Sequence, residues 1–313
     1  MLKDLRAAVL QACWTPEQLA GDPRDKTVTR PLNDPHRHDP PAYTAPKNSL
    51  PPLPATWRQS IRHIHLPAGE KAVALTFDLC ERAKERAGYD AAVVDYLRAQ
   101  QLHATFFAGG KWMRSHPEQA KQLMADPLFE IGSHAWSHGN CRLLGGDLLR
   151  HQILWPQVEY ERLRQKLKAL AAKHGVAANA VEEIPRVPLS FRFPYGACRP
   201  EALALLAEWG LPAIQWDVVT GDPARGQSAA MIARVVLRRV RPGSIIICHA
   251  NGRGVHTAAA LPLFVPKLRG EGFRFVTVSE LLATGPAISS TECYENRPGD
   301  NSRYDHLSGE GTN

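Results

Sequence analysis

The chain of 313 residues has no stretch near the roughly 20 apolar residues that a membrane-spanning helix needs. Its six cysteines, at 13, 80, 141, 198, 248 and 293, form no CxxC pair. That absence removes zinc ribbons and thioredoxin-type centres. Zinc-finger spacing, an RNA-binding aromatic signature and a helix-turn-helix pattern are missing too, so no nucleic-acid partner is expected. The numbered start, MLKDLRAAVLQACW, lacks the apolar core of a secretory leader, because Asp4 and Arg6 interrupt it. The expectation is either a cytoplasmic protein or a numbering that begins after or inside a trimmed leader.

What is present is ordinary for a globular protein: 44% apolar and 22% charged residues. The length suffices for a sizeable core, and one main domain with appended segments is expected. The net charge of +7 predicts either a merely basic surface or attraction to polyanions such as nucleic acid, anionic membranes or cell-wall polymers.

Texture divides the chain into a proline-rich N-terminal arm (1–70), a central unit (71–284) and a polar, turn-rich tail (285–313). In the central unit, short apolar runs alternate with helical patterns. Strands are expected at 71–78, 102–109, 128–134, 189–194, 212–218, 243–249 and 273–278. Helices are expected at 89–100, 200–210 and 257–272, several ending in Gly. Such alternation predicts an α/β fold, with parallel strands closed into a (β/α) barrel or left as an open doubly wound sheet. Residues 146–175 read as a long helix with basic residues near its end. It is either a solvated amphipathic helix or a lip that grips an anionic polymer.

Chemistry-bearing residues fall at the ends of these strands: Asp78, His134, Arg192, Asp217 and His249. In parallel α/β folds those ends share one face, where active sites form. The segment HAWSH (134–138) holds two histidines four apart. On a helical turn they would share a face and reach one ion. Imidazole suits Zn, Co, Ni or Cu better than Mg or Ca.

Five segments occur in order: TFD (76–78), HAWSH (134–138), RFPYG (192–196), WDVVTGD (216–222) and IIICH (245–249). The chain resembles the polysaccharide deacetylases, carbohydrate esterase family 4, over about 71–284. The resemblance implies a distorted (β/α)7 barrel and metal-dependent hydrolysis of N-acetyl groups on amino sugars, releasing acetate. It implies His134 and His138 as metal ligands, with zinc the favoured ion. Asp78 would be the general base and Arg192 its ion-pair partner. The Tyr195 N–H would donate to an oxyanion, with Pro194 and Gly196 shaping the turn. His249 would be the general acid and Asp222 its orienting carboxylate. Trp216 would either wall the acetyl pocket or fill the core, and Asp217 would cap or pair structurally. The substrate would be an N-acetylated glycan, either peptidoglycan, a chitin-like polymer or an exopolysaccharide. The compartment would be the periplasm or the exterior.

The match departs from the family where TFDDG is usual. Here the residues are TFDLCE, and Leu79 cannot ligate a metal. The chain resembles a subset with TFD-x-C. Three readings stand side by side: two histidines plus waters hold the metal, Asp78 or Glu81 supplies a third oxygen, or the domain is a catalytically weak sugar binder. A hydrolase of another amide on a small substrate is a further alternative. Cys80 and Cys248 read as free buried thiols or as a bridge across the active-site face. A bridge between Cys13 and Cys293 would tie the two arms together.

Overall fold

The computed structural model describes residues 2–30 and 40–307. Residues 31–39 of the proline-rich stretch and 308–313 of the tail lie outside the described residues. Along the chain the strands are β1 (Ser60–Ile64), β2 (Ala72–Leu79), β3 (Ala104–Ala108), β4 (Phe129–Ser133), β5 (Val218–Val219), β6 (Ile245–His249), β7 (Arg274–Val276) and β8 (Ala287–Ser290). The α-helices are α1 (Leu2–Cys13), α2 (Pro16–Leu19), α3 (Ala91–Ala99), α4 (Gly110–Ser115), α5 (Pro117–Ala125), α6 (Gly146–Lys173), α7 (Ala178–Glu182), α8 (Pro200–Glu208), α9 (Ala229–Arg239), α10 (Thr257–Gly270) and α11 (Val278–Leu282).

Parallel pairing orders the main sheet β4-β3-β2-β6-β5, with β7 also on β2. β6 lies along one edge of β2. The other edge is shared, by β7 at Ala72–Ala74 and by β3 at Thr76–Leu79. Every residue of β2 is buried, as expected of a strand covered on both faces. Its period of two sorts the side chains. Val73, Leu75, Phe77 and Leu79 join the apolar layer beneath the outer helices. Ala72 and Ala74 face the inner cluster with Phe107, Ile214, Ile245 and Ile247. Thr76 and Asp78 share that inner side by alternation. Phe106 knits the outer layer, stacked on Phe77 at 5.3 Å and edge-on to Phe129 at 5.1 Å. Each such pair adds about 0.5–1.5 kcal/mol beyond its buried area.

The wall thins where strands were expected at 189–194 and 212–218. Up to Ile214 only single parallel bridges form, Ser133 to Phe191, Phe191 to Ala213 and Ile61 to Ile214, and regular pairing resumes at β5. Pro188, Pro194 and Pro212 explain this, since proline cannot donate to a ladder. The backbone still connects, Arg192 N to Ser133 O at 2.8 Å and Ile214 N to Phe191 O at 2.8 Å. The result is a distorted α/β barrel.

Described residues on both sides of the central unit are built into the barrel. β1, from the stretch read as an arm, pairs antiparallel with β8. Helix α1 buries Val9 and Leu10 in the outer apolar layer. Arg6 donates to the Met124 and Asp126 carbonyls at 2.7 and 2.6 Å. Helix α6 is not simply solvated: it buries Leu149, Ile153, Val158, Leu163 and Leu167.

Candidate active site

β2 and β6 set the centre. Their register makes Asp78 and His249 direct neighbours. Asp78 Oδ1 accepts from Arg192 Nη1 at 2.9 Å, and the same nitrogen donates to Thr76 Oγ1 at 2.8 Å. Arg192 also donates to the Ile214 and Gln215 carbonyls, both at 3.2 Å, and its guanidinium lies 3.9 Å from the Phe107 ring centre. The guanidinium is fully buried, so the carboxylate is the partner that neutralises it. Burial alone would raise the Asp78 pKa. His134, Arg192 and His249 outweigh that effect and hold it below the ordinary carboxylate value.

His249 has the opposite bias. Its Nδ1 donates to Asp222 Oδ1 at 2.9 Å. Asp222 Oδ2 accepts from the His249 backbone N–H at 2.7 Å and from Thr257 Oγ1 at 2.6 Å. Burial works against the imidazolium, but the Asp222 and Asp78 carboxylates prevail and raise His249 to about 9. A carboxylate held ionised thus sits beside an imidazole held protonated.

The HAWSH segment is a loop, not the helical turn that the i, i+4 spacing suggested. Ala135 and His138 adopt φ of 60° and 59°, the left-handed region in which a continuing helix cannot form. Tyr195 has φ 60°, so three of the four described non-glycine residues with positive φ lie in this site. Such conformations persist only where the surroundings impose them. Here Gln152 of α6 does so. Its Oε1 accepts from the Ser137 and Gly139 N–H groups at 3.0 and 3.1 Å, and its Nε2 donates to Ser137 Oγ at 2.9 Å. The rings of His134 and His138 meet at 5.0 Å, and His138 packs on Tyr195 at 4.4 Å.

These histidines fit a metal ion. His134 Nδ1 donates to the Arg192 carbonyl at 2.9 Å, which leaves Nε2 as the free acceptor. That Nε2 is 3.6 Å from Asp78 Oδ2, too far for a hydrogen bond. His134 Nε2 and His138 Nδ1 are both buried without a hydrogen-bond partner. Burial lowers the His138 pKa to about 3 and keeps it neutral, as ligation requires. The third atom beside them is sulfur: the thiol of Cys80 and one nitrogen from each histidine lie within 4.8 Å of one another. Burial opposes ionisation of Cys80, but Arg253, His134 and His249 outweigh it and bring the thiol to about 6.

Other predicted residues are placed as follows. Glu81 points elsewhere, its oxygens accepting from the Ala87 N–H at 3.0 Å and Ser115 Oγ at 2.7 Å. Pro194 opens the short turn Pro194–Gly196. Trp216 is buried in the inner core, and its indole N–H donates to the Glu295 carbonyl at 3.0 Å. Asp217 pairs with His63 and accepts from Ser244 Oγ and the Ile245 N–H, a structural knot. Sequence reasoning did not find Cys80 or Gln152 as site residues. Cys80 carried a readable signal, since it stands two residues past Asp78, where continuing the period of two would return it to the side of Asp78.

The cysteines correct one expectation. Cys293 bonds to Cys198, not to Cys13, with Cα atoms 5.4 Å apart. Cys13 is buried and free, because α1 packs it in the outer apolar layer while Cys293 sits in a separate apolar cluster. Cys80 and Cys248 are free and buried, as one reading had it. The bridge fixes the tail against the RFPYG turn, where Asn301 donates to the Gly196 carbonyl and Tyr304 packs on Tyr195 at 5.4 Å.

Fold and site define an α/β barrel with a carboxylate, a guanidinium and a carboxylate-backed imidazole beside a Cys/His/His cluster. Residues 65–214 match the family model described as polysaccharide deacetylase. The chain is similar to that family over just under half of its length and has the distorted (β/α)7 barrel of its solved relatives. A peptidoglycan-N-acetylglucosamine deacetylase of Listeria monocytogenes is 30% identical over 213 residues, 67% of this chain but only 39% of the relative. One from Bacillus cereus is 29% identical over 220 residues, 70% of each chain. A crystal structure of a peptidoglycan N-acetylglucosamine deacetylase in complex with an N-oxidanyl-benzamide superposes with a TM-score of 0.60. It is 26% identical, and the match covers 75% of this chain and 99% of that one.

Proposed function

We propose that the chain is a metal-dependent N-deacetylase of N-acetylated glycans at the cell envelope, with peptidoglycan the leading substrate and zinc the leading ion. The observation that carries this reading is the Asp78–His249 pair. Two neighbouring groups are pushed to opposite protonation states, which is how a site separates its base from its acid. The names of the relatives support an amino-sugar amide as the target.

His134 and His138 would hold a divalent ion, whose chemistry when bound would be Lewis acidity toward a carbonyl and acidification of water. Asp78, kept ionised and aimed by Arg192, takes a proton from the attacking water. The Tyr195 N–H, on its strained turn, donates to the developing oxyanion. His249, protonated and oriented by Asp222, gives its proton to the leaving amine. Pro194 shapes the turn that presents Tyr195, and Trp216 supports it from beneath: a Cβ on Gly196 would lie 3.2 Å from the indole. The basic net charge favours anionic polymers over neutral ones.

Protein loaded with zinc or cobalt is expected to release acetate from peptidoglycan or chitooligosaccharides, and a chelator to stop it. Asp78→Asn is expected to cut the rate by about 10²–10⁴ while glycan retention is kept. Absence of acetate from every N-acetyl glycan tried, with retention intact, would make the chain a sugar binder and end the proposal.

A further inference from the structure

We infer that Cys80 is the third protein ligand of the metal site, its sulfur standing in for the carboxylate that Leu79 cannot supply. The inference rests on the deacetylase reading for the presence of a metal, and on four observations of its own. The first is position. Leu79, the last residue of β2, packs in the outer apolar layer, and Cys80, the first residue past the strand, sets its sulfur beside His134 and His138.

The second is surroundings. Cys13 and Cys248 pack in the outer apolar layer, and Cys141 packs in the cluster under α6 and α8. Cys80 is as buried as they are but belongs to none of the apolar clusters. A thiol placed only as a small apolar filler would have apolar neighbours. Cys80 instead receives the Asn251 side-chain amide, which donates to its sulfur at 3.1 Å and to its carbonyl at 2.6 Å. Ligand atoms are commonly held by hydrogen bonds of this kind from the next layer.

The third is the pair of buried, unpartnered nitrogens, His134 Nε2 and His138 Nδ1. Native proteins rarely leave buried polar atoms unsatisfied, and a missing ion is one accepted cause. The fourth is spacing. The sulfur and the two imidazoles already lie within 4.8 Å of one another. Zinc bonds of about 2.0–2.3 Å space tetrahedral ligands roughly 3.5 Å apart, so side-chain rotation has to draw them in by no more than about an ångström. Of the two competing oxygen donors, Glu81 has both oxygens taken, and Asp78 gives Oδ1 to Arg192 and keeps Oδ2, 3.6 Å from His134 Nε2, for its role as the base.

A set of one thiolate and two imidazoles selects zinc or cobalt over magnesium or calcium. Three protein ligands leave the fourth position open, as in catalytic zinc sites.

The test is spectroscopic. Protein stripped with a chelator is titrated with Co(II), and absorption is recorded for the wild type, Cys80→Ser and Cys80→Asp. The wild type is expected to show a near-ultraviolet thiolate-to-cobalt charge-transfer band. Both variants are expected to lose it, and Cys80→Ser to bind zinc at least about tenfold more weakly. X-ray absorption at the zinc edge of the unmutated protein gives the same answer if the variants fail to fold: one sulfur at about 2.3 Å is expected. A wild-type complex with no sulfur ligand, or a band that survives in Cys80→Ser, overturns the assignment. Acetate release measured on the same samples separates this inference from the reading it rests on. A sulfur-free site that still deacetylates overturns the ligand assignment alone. A sulfur-ligated site that releases no acetate from any glycan upholds the ligand and overturns the deacetylase reading.

Discussion

Asp222 illustrates how much one carboxylate does at the residue scale. It holds the His249 ring through Nδ1 and the His249 backbone through the other oxygen. Because the folded pKa of His249 is raised from 6.5 to about 9, the imidazolium it stabilises is present below that value and lost above it. A general acid must be protonated, so acetate release is expected to fall on an alkaline limb at or below about pH 9, because a bound cation beside His249 would lower its pKa. Asp222→Asn is expected to move that limb to lower pH and to reduce kcat/KM, which a pH–rate profile reads directly. The same His249 contributes to stability fully below pH 6.5 and loses that contribution as the pH rises through about 9. Arg192 makes a separate prediction. Arg192→Met strips a buried partner from Asp78, and breaking a buried pair in this way costs about 3–5 kcal/mol. Denaturant melts are expected to show that loss, with part of it recovered in Arg192→Met/Asp78→Asn, where no charge is left stranded.

At the scale of elements, the histidine loop and helix α6 form one unit. Gln152→Ala leaves two buried N–H groups without an acceptor, a cost of about 1–3 kcal/mol. It also frees the loop that carries His134 and His138, so zinc affinity in a chelator competition is expected to fall about 10–100-fold. A second element-scale prediction concerns the junction of α4 and α5, where His116 stacks on Trp112 at 5.0 Å. Burial depresses its pKa from 6.5 to about 4. With the folded value below the unfolded one, its contribution is present above pH 6.5 and is lost as the pH falls toward 4. Between pH 7 and 5 that loss is about 2 kcal/mol, and His116→Gln is expected to flatten the corresponding change in urea midpoint. These elements also show what the sequence can and cannot disclose. β2 and β6 were legible because buried parallel strands are unbroken apolar runs ending in the reactive residue. The HAWSH loop was misread as a helical turn because i, i+4 spacing does not report φ, and Ala gives no warning of a left-handed conformation. Cys80 was hidden by Leu79: the departure from the family pattern drew attention to the residue lost, and the strand's period, which pointed one position further, was not applied.

The whole molecule is closed by its tail, and the tail was the least legible part. Its turn-rich composition describes a segment without a core of its own, and nothing in it names Cys198 among the fifteen ways to pair six cysteines. Pairing became visible only once the barrel had set the RFPYG turn beside residues 293–304. The bridge spans 95 residues, and removing a native disulfide typically costs about 2–5 kcal/mol. The tail does more than staple. Asn301 is fully buried and donates to the Cys293 carbonyl at 3.0 Å as well as to Gly196. Arg142, just past the histidine loop, donates to Asn301 Oδ1 at 2.6 Å and pairs with Asp305. One short segment therefore ties the Tyr195 turn to the loop that carries the histidines. Two roles can be told apart by Cys198→Ala/Cys293→Ala, studied well below its lowered melting temperature. A pure staple would lower the unfolding midpoint and leave KM unchanged. A wall of the substrate site would also raise KM for a glycan, by about tenfold if contacts worth about 1.4 kcal/mol are lost. The packing of Tyr304 on Tyr195 argues for the second outcome, and Tyr304→Ala with the disulfide intact is expected to reproduce the change in KM without the change in midpoint.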